Sequence, residues 1–140
     1  MGKALNSLTI FFCLLGVVAA TLAYGEHYNT KPSPCQINSV WDCGIVNHSA
    51  YAVLHGIPIA LIGAVGYALL IAFVGRYPWV AFYGALAGFL FSLRFTYVEW
   101  RVLEVWCLYC LSSQIIIAII AVLSLFAALR SRPELVRRHA

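Results

Sequence analysis

Mainly apolar, almost uncharged stretches of about twenty residues recur along the chain, separated by short polar segments. A helix needs about 20 such residues to cross the roughly 30 Å hydrocarbon core of a bilayer. The pattern predicts membrane spans over residues 7–24, 56–75, 79–98 and 106–129. Only residues 25–55 form a long polar loop. We therefore expect an all-α fold in which residues 1–140 form one integral membrane domain, a bundle of four transmembrane helices.

The first span has to be distinguished from a cleaved signal peptide. Only Lys3 precedes it, and its apolar stretch exceeds the roughly 7–15 residues of a signal-peptide core. Small residues around Ala20 and Ala23 would allow cleavage. A retained helix is the expectation.

Composition supports a membrane protein and excludes a water-soluble domain. The chain is 63% hydrophobic and only 10% charged, whereas a soluble domain carries about 25% charged residues. There is too little polar surface to cover a water-soluble globule. The net charge of +4 is modest, and no stretch combines basic and aromatic residues as a nucleic-acid groove would. Membrane lipid is therefore an expected partner, and nucleic acid is not.

The basic residues predict the orientation, because Lys and Arg concentrate on the cytoplasmic side. With the N-terminus inside, the inner ends of the spans carry Lys3, Arg76, Arg130, Arg132, Arg137 and Arg138. The outer side receives Lys31, Arg101 and most of the acidic residues. We expect a multi-pass protein of the inner or plasma membrane, with both termini cytoplasmic and the 25–55 loop outside.

Four of the five cysteines meet on the outer side in this topology. Cys35 and Cys43 lie in the loop, and Cys107 and Cys110 begin the fourth span. Two cysteine pairs on the oxidising side of a membrane are the parts of a thiol–disulfide relay. Cys13 lies deep in the first span and is expected to be a packing residue.

The CxxC spacing suits redox chemistry. Residues i and i+3 share a helix face, and a helix N-terminus stabilises a thiolate at Cys107 or Cys110. Glu104 would oppose that charge. Turn-forming residues 30–34 precede Cys35 and suggest a mobile dithiol that reaches outward to a partner and inward to Cys107.

Three alternatives stay open from the residues alone. In the first, Cys35 and Cys43 form a permanent structural disulfide in the loop. In the second, Cys107 and Cys110 are packing residues without redox chemistry. In the third, all four cysteines bind a zinc ion. Structural zinc favours closely spaced pairs in a polar knuckle, whereas one of these pairs begins a membrane helix. No metal site is therefore expected.

The combined pattern resembles the vitamin K epoxide reductase family, in particular its bacterial single-domain members. The resemblance rests on Cys35-x7-Cys43, then Ser49, then Gly56-Ile57-Pro58, then Cys107-x-x-Cys110 opening the last span. It extends over about residues 9–125, nearly the whole chain.

This resemblance implies a four-helix bundle around a quinone of the ubiquinone or menaquinone type. Cys107 and Cys110 correspond to the active-site pair, with Cys110 facing the quinone. Cys35 and Cys43 correspond to a shuttle pair, in which Cys35 exchanges with a separate thioredoxin-fold protein and Cys43 with Cys107. Ser49 matches the serine or threonine that follows the shuttle pair.

At two places this sequence differs from the family members that use vitamin K, and both differences concern the choice of substrate. Family members that bind vitamin K carry an asparagine near the start of the second helix and a tyrosine one turn beyond the CxxC. Here these places hold the residues 55–58, His-Gly-Ile-Pro, and Gln114. The expected function is quinone-dependent oxidation of a partner's thiols, which supports disulfide formation outside the cytoplasm. Reduction of vitamin K or its epoxide is the alternative, and a non-catalytic subunit with structural disulfides is a second.

Further residues are candidates for binding or supporting the quinone. Ser113 and Gln114 lie about one turn below Cys110 and would hydrogen-bond either a quinone carbonyl or a neighbouring helix. Trp41 would cover an apolar pocket or anchor the loop at the interface. Tyr109, between the two cysteines of the CxxC, completes the set.

Overall fold

The computed structural model describes residues 2–32 and 34–139 and is mainly helical. The α-helices are α1 (Gly2–Tyr28), α2 (Cys43–His48), α3 (Ile59–Phe73), α4 (Pro78–Val98) and α5 (Leu108–His139). A 3-10 turn, Ala50–Ala52, follows α2, and a π-helical turn, Glu99–Leu103, follows α4. Two short strands, β1 (Val53–Leu54) and β2 (Ile57–Pro58), pair antiparallel, with Val53 opposite Pro58 and Leu54 opposite Ile57.

Three helices are long and apolar enough to cross a membrane: α1, α4 together with its π-turn, and α5. The predicted helical, membrane-embedded character is confirmed to that extent. Helix α3 is equally apolar but has 15 residues, fewer than the roughly 17–25 of an ordinary span. A fourth crossing therefore stays a prediction.

The second helix begins later than predicted, at Ile59 instead of Gly56. The preceding residues turn the β1–β2 hairpin, in which His55 (φ 51°) and Gly56 (φ 83°) both adopt left-handed conformations. Two consecutive residues with positive φ give the tight turn that matches the twist of a hairpin. The chain therefore enters the bundle through a small strand pair in an otherwise helical fold.

The last helix also begins later than predicted, at Leu108 instead of Trp106. Trp106 is extended, because it forms a parallel bridge with Trp41. Its N–H donates to the Val40 carbonyl at 2.7 Å, and its carbonyl accepts from the Asp42 N–H at 3.0 Å. The loop between α1 and α2 is thus tied directly to the segment that leads into α5.

Helix α1 lies at the centre of the packing against α3 and α5, and α4 packs mainly on α5. The buried core of these helices consists of Cys13, Ala20, Tyr67, Leu70, Ala85, Ile117, Ile120 and Ala121. Cys13 is fully buried there, in keeping with a packing role. Contacts between α3 and α4 are much sparser than those of either helix with its other neighbour, so the bundle is loosely closed between these two helices.

Candidate redox site

The loop cysteines form a disulfide bond that is buried. Asp42 caps α2 by accepting the Ile45 N–H at 3.2 Å, and Cys43 follows as the first residue of the helix. Cys35 and Cys43 are joined, with their Cα atoms 5.7 Å apart. Their exposures are 1% and 0%. The pair is therefore enclosed in this redox state, whereas the sequence suggested a mobile dithiol that reaches outward to a partner and inward to Cys107.

The two cysteine pairs meet in one buried cluster. The hydrogen bonds between the segments around Trp41 and Trp106 bring the residues that follow them, Cys43 and Cys107, to the same place. The buried members of this cluster are Cys35, Cys43, Val46, Val105 and Cys107, with Cys110 packed against them. The structure thus brings together all four cysteines that the sequence singled out.

The Cys107 sulfur accepts two N–H groups. The Cys110 backbone N–H donates to it across 3.2 Å. The Asn47 side-chain amide lies 3.5 Å away and also donates to the Cys43 carbonyl at 2.8 Å. Both donors direct positive partial charge at the sulfur and stabilise negative charge on it. Cys107 is a free thiol and is fully buried.

Asn47 is a site residue that sequence reasoning missed. It lies four residues after Cys43, so both occupy one face of α2. It is 5% exposed, and its backbone carbonyl accepts a hydrogen bond from His27 Nδ1 at 2.6 Å. The i, i+4 spacing from a cysteine was the available signal, but only the fold reveals that the amide reaches Cys107.

Glu99 is the acidic residue at the CxxC, in place of the expected Glu104. The π-helical turn directs the Glu99 carboxylate back toward α5, where Oε2 accepts the Cys107 N–H at 3.0 Å. Glu99 is 4% exposed. Glu104 has a left-handed backbone (φ 55°), is exposed, and lies on the outer surface beside Trp100 and Arg101.

An apolar cavity of about 700 Å³ extends from Cys110 into the bundle between α1, α3, α4 and α5. Its lining residues include polar groups on several elements, among them His27, Asn47, Ser49, Glu99, Cys110 and Ser113. Apolar walls with a few polar groups are typical of a small-molecule site. This arrangement fits a quinone, whose ring carries two carbonyl oxygens and whose tail is a hydrocarbon.

Three of the predicted quinone-contacting residues line this cavity: Ser49, Tyr109 and Ser113. The Ser113 Oγ lies 2.8 Å from the hydroxyl of Tyr67, which also donates to the Ser113 carbonyl. The Ser49 hydroxyl donates to the Val46 carbonyl at 2.7 Å. The serine side chains are therefore held at the cavity wall by neighbouring elements.

Gln114 and Trp41 do not line the cavity. Gln114 hydrogen-bonds the Thr96 hydroxyl on α4, which is the helix–helix alternative. Trp41 packs beside Trp106, with ring centroids 6.4 Å apart. Both residues support the site from outside, one by joining α4 to α5 and the other by joining the loop to the start of α5.

Within residues 2–32 and 34–139, no group of three or more His, Cys, Asp or Glu side chains is placed to hold a metal ion. The chemistry that this site offers is that of thiols, the buried carboxyl group of Glu99 and the buried amide of Asn47.

Comparison with known proteins identifies a family for this arrangement. The model of the vitamin K epoxide reductase family matches residues 7–125, which include all four cysteines of the site. A search among curated proteins finds no match to the chain.

Proposed function

Because the chain belongs to the vitamin K epoxide reductase family, whose members are membrane oxidoreductases, we propose that it is a quinone-dependent thiol–disulfide oxidoreductase. In this proposal it reoxidises a separate thioredoxin-fold protein and so supports disulfide formation outside the cytoplasm. One observation carries the proposal: Cys43 and Cys107 share a buried cluster, while Cys110 lines an apolar cavity. Such an arrangement joins a thiol-exchange site to a site for a lipophilic electron acceptor.

The relay begins when the partner reduces the Cys35–Cys43 disulfide. The Cys43 thiolate then attacks the Cys107 sulfur of an oxidised CxxC, which breaks the Cys107–Cys110 bond and releases Cys110 as a thiolate. Cys35 next attacks Cys43, which restores the loop disulfide and releases Cys107. The two N–H groups at the Cys107 sulfur stabilise the negative charge that develops on this sulfur when it is the leaving group.

The state in the structure corresponds to the end of this internal transfer. Cys35 and Cys43 are joined, and Cys107 and Cys110 are free thiols. A bound quinone would supply a two-electron, two-proton acceptor beside Cys110. Ser49, Tyr109 and Ser113 are the proposed contacts for a ubiquinone- or menaquinone-type ring, and Gln114 and Trp41 the proposed supports.

The proposed topology has four crossings, both termini in the cytoplasm and the redox loop outside, within a single membrane domain. Helix α3 is short, but the hairpin before it and residues 74–77 after it lengthen the segment that crosses. This arrangement puts Arg76 on the inside with the basic C-terminal turns and the cysteines on the oxidising side.

The mechanism is tested by trapping the internal mixed disulfide. In Cys110→Ala the thiol that would break the mixed disulfide from the Cys107 side is gone. Once the released Cys35 is alkylated, Cys107 is expected to hold Cys43 in a stable bond that mass spectrometry identifies. In Cys107→Ala no equivalent bond to the loop should accumulate, because Cys110 lies outside the buried cluster, packed against it. If Cys110 instead traps Cys43 in Cys107→Ala, and Cys107 does not in the converse variant, the two roles are reversed.

The acceptor is tested with purified protein, a thioredoxin-fold reductant and a panel of substrates. Turnover with ubiquinone or menaquinone analogues, faster than with vitamin K epoxide, is the expected result. Preference for the epoxide would establish the alternative activity, and no turnover with any acceptor would leave a structural subunit.

A further inference from the structure

Glu99 has no role in the relay described so far, yet it is placed at its reacting end. It is buried, and it lines the same cavity as Cys110. The hydrogen bond from the Cys107 N–H to Oε2 orients the carboxyl group. The other titratable groups around this position are Cys107, just before α5, and the cavity-lining residues His27 on α1, Tyr51 after α2, Tyr67 on α3 and Tyr109 on α5.

The position of this carboxyl group creates an electrostatic problem. A thiol donates electrons only as its thiolate, but a thiolate at Cys110 beside an ionised Glu99 would put two negative charges in an apolar cavity. Like charges at such a site disfavour each other strongly. One proton shared between the two groups removes the conflict, because the total charge of the pair stays at minus one.

We propose that Glu99 accepts the Cys110 proton and passes it toward the electron acceptor, which makes it a proton-transfer residue of the redox site. The inference rests on the proposed function. In the balanced reaction, two thiols lose two electrons and two protons and form the Cys107–Cys110 bond. The Cys110 proton moves to Glu99 and then to one quinone oxygen. The Cys107 proton leaves to water, and the second quinone oxygen takes one from water.

The first test uses quinone-free protein with a reduced CxxC and the neutral reagent iodoacetamide, with Cys110 alkylation followed by mass spectrometry. The Glu99→Gln substitution removes the base but keeps an oxygen that accepts the Cys107 N–H. Cys110 is expected to be alkylated more slowly at neutral pH, by about 100-fold if the base contributes as general bases do. Glu26→Gln is the matched control, since Glu26 is also buried but does not line the cavity.

Whether alkylation of Cys110 becomes slower or faster in Glu99→Gln decides between the two possible roles of Glu99. If Glu99 only opposes charge at Cys110, its neutralisation makes the thiolate easier to form and alkylation becomes faster. Faster or unchanged alkylation in Glu99→Gln overturns the proposal.

The second test separates the two half-reactions. In Glu99→Gln, electron transfer from a thioredoxin-fold reductant to the CxxC is expected to continue at the wild-type rate, while the quinone step slows. The quinone step should also become steeper in pH, approaching about tenfold per pH unit, because the proton must now leave to base from solution. Both proteins keep His27, Cys107 and Tyr109, so the difference between the two profiles isolates Glu99. Equal loss in both half-reactions would mean that Glu99 only holds Cys107 in place, and would overturn the proposal.

If the wild-type protein reduces no quinone, the proposed function fails, and the alkylation result decides the proton transfer separately.

Discussion

At the scale of single residues, Cys107 is held from two directions. Asn47 donates to its sulfur from α2, and Glu99 accepts from its backbone N–H at the end of α4. Thiol exchange needs an attacking sulfur aligned with the target sulfur and a stabilised leaving group. In the proposed relay both requirements concern Cys107, the cysteine that would exchange with the loop.

Replacing Asn47 should slow the internal exchange. Asn47→Ala removes the side-chain N–H that lies 3.5 Å from the Cys107 sulfur. Hydrogen bonds to charged groups contribute about 1.5–3 kcal/mol, so the Cys43–Cys107 bond should form roughly 10- to 100-fold more slowly. The measurement is the rate of mixed-disulfide formation in the Cys110→Ala background.

Ile45→Ala is the control for this prediction, because Ile45 lies on the same short helix but is half exposed. An unchanged rate in Asn47→Ala would show that the amide only braces α2 through the Cys43 carbonyl.

At the scale of elements, one contact joins three helices at the wall of the cavity. Gly16 of α1 lies against the ring of Tyr67 of α3, whose hydroxyl bonds Ser113 of α5. A side chain at Gly16 would overlap that ring. The glycine therefore permits the close approach that lets Tyr67 reach α5.

We expect Gly16→Ala to destabilise the bundle. The added methyl group must displace the Tyr67 ring, and overpacking of this kind costs about 1–3 kcal/mol. Unfolding in detergent, followed by circular dichroism, measures the change. Gly25→Ala in the same helix is the matched control: nothing lies within 4 Å of the added carbon, so it should be neutral or stabilising by up to about 1 kcal/mol. Equal stability of the two variants would contradict the proposed contact.

The helices and their ends also show how much of the fold could be predicted from the sequence. Uncharged stretches predicted the helices well, because burial in lipid depends on local composition. The ends of the helices depend on distant partners: Trp106 stays extended because it pairs with Trp41, and Gly56 turns a hairpin instead of beginning a helix. The cysteines were identifiable from their spacing. Asn47 and Glu99 were not, because no motif shows that a short helix and a π-turn aim their side chains at one thiol.

At the scale of the whole molecule, the bundle is asymmetric. Helix α1 packs against both α3 and α5, whereas α3 and α4 meet only loosely beside the cavity that all four helices line. Large apolar side chains such as Phe11, Val65 and Leu90 point outward, as suits a surface covered by lipid. A lipophilic acceptor would therefore enter the proposed site sideways, from the bilayer.

The four-crossing topology is tested by placing single cysteines on either side of α3. Lys31→Cys should react with a membrane-impermeant maleimide from outside only, and Arg76→Cys from the cytoplasmic side only. Both positions are exposed, so accessibility differs only through the membrane. Reaction of Arg76→Cys from outside would show that α3 does not cross.

The burial of the sulfurs determines which thiols in the cell can pass electrons to this protein. Cys35, Cys43 and Cys107 are all at most 1% exposed, so a thiol that collides with the closed loop finds no sulfur to attack. In the proposed relay, only a protein that opens the loop as it docks can deliver electrons. Abundant small thiols in the same compartment are then poor competitors for the loop disulfide. Quinone is therefore not consumed by the oxidation of these small thiols.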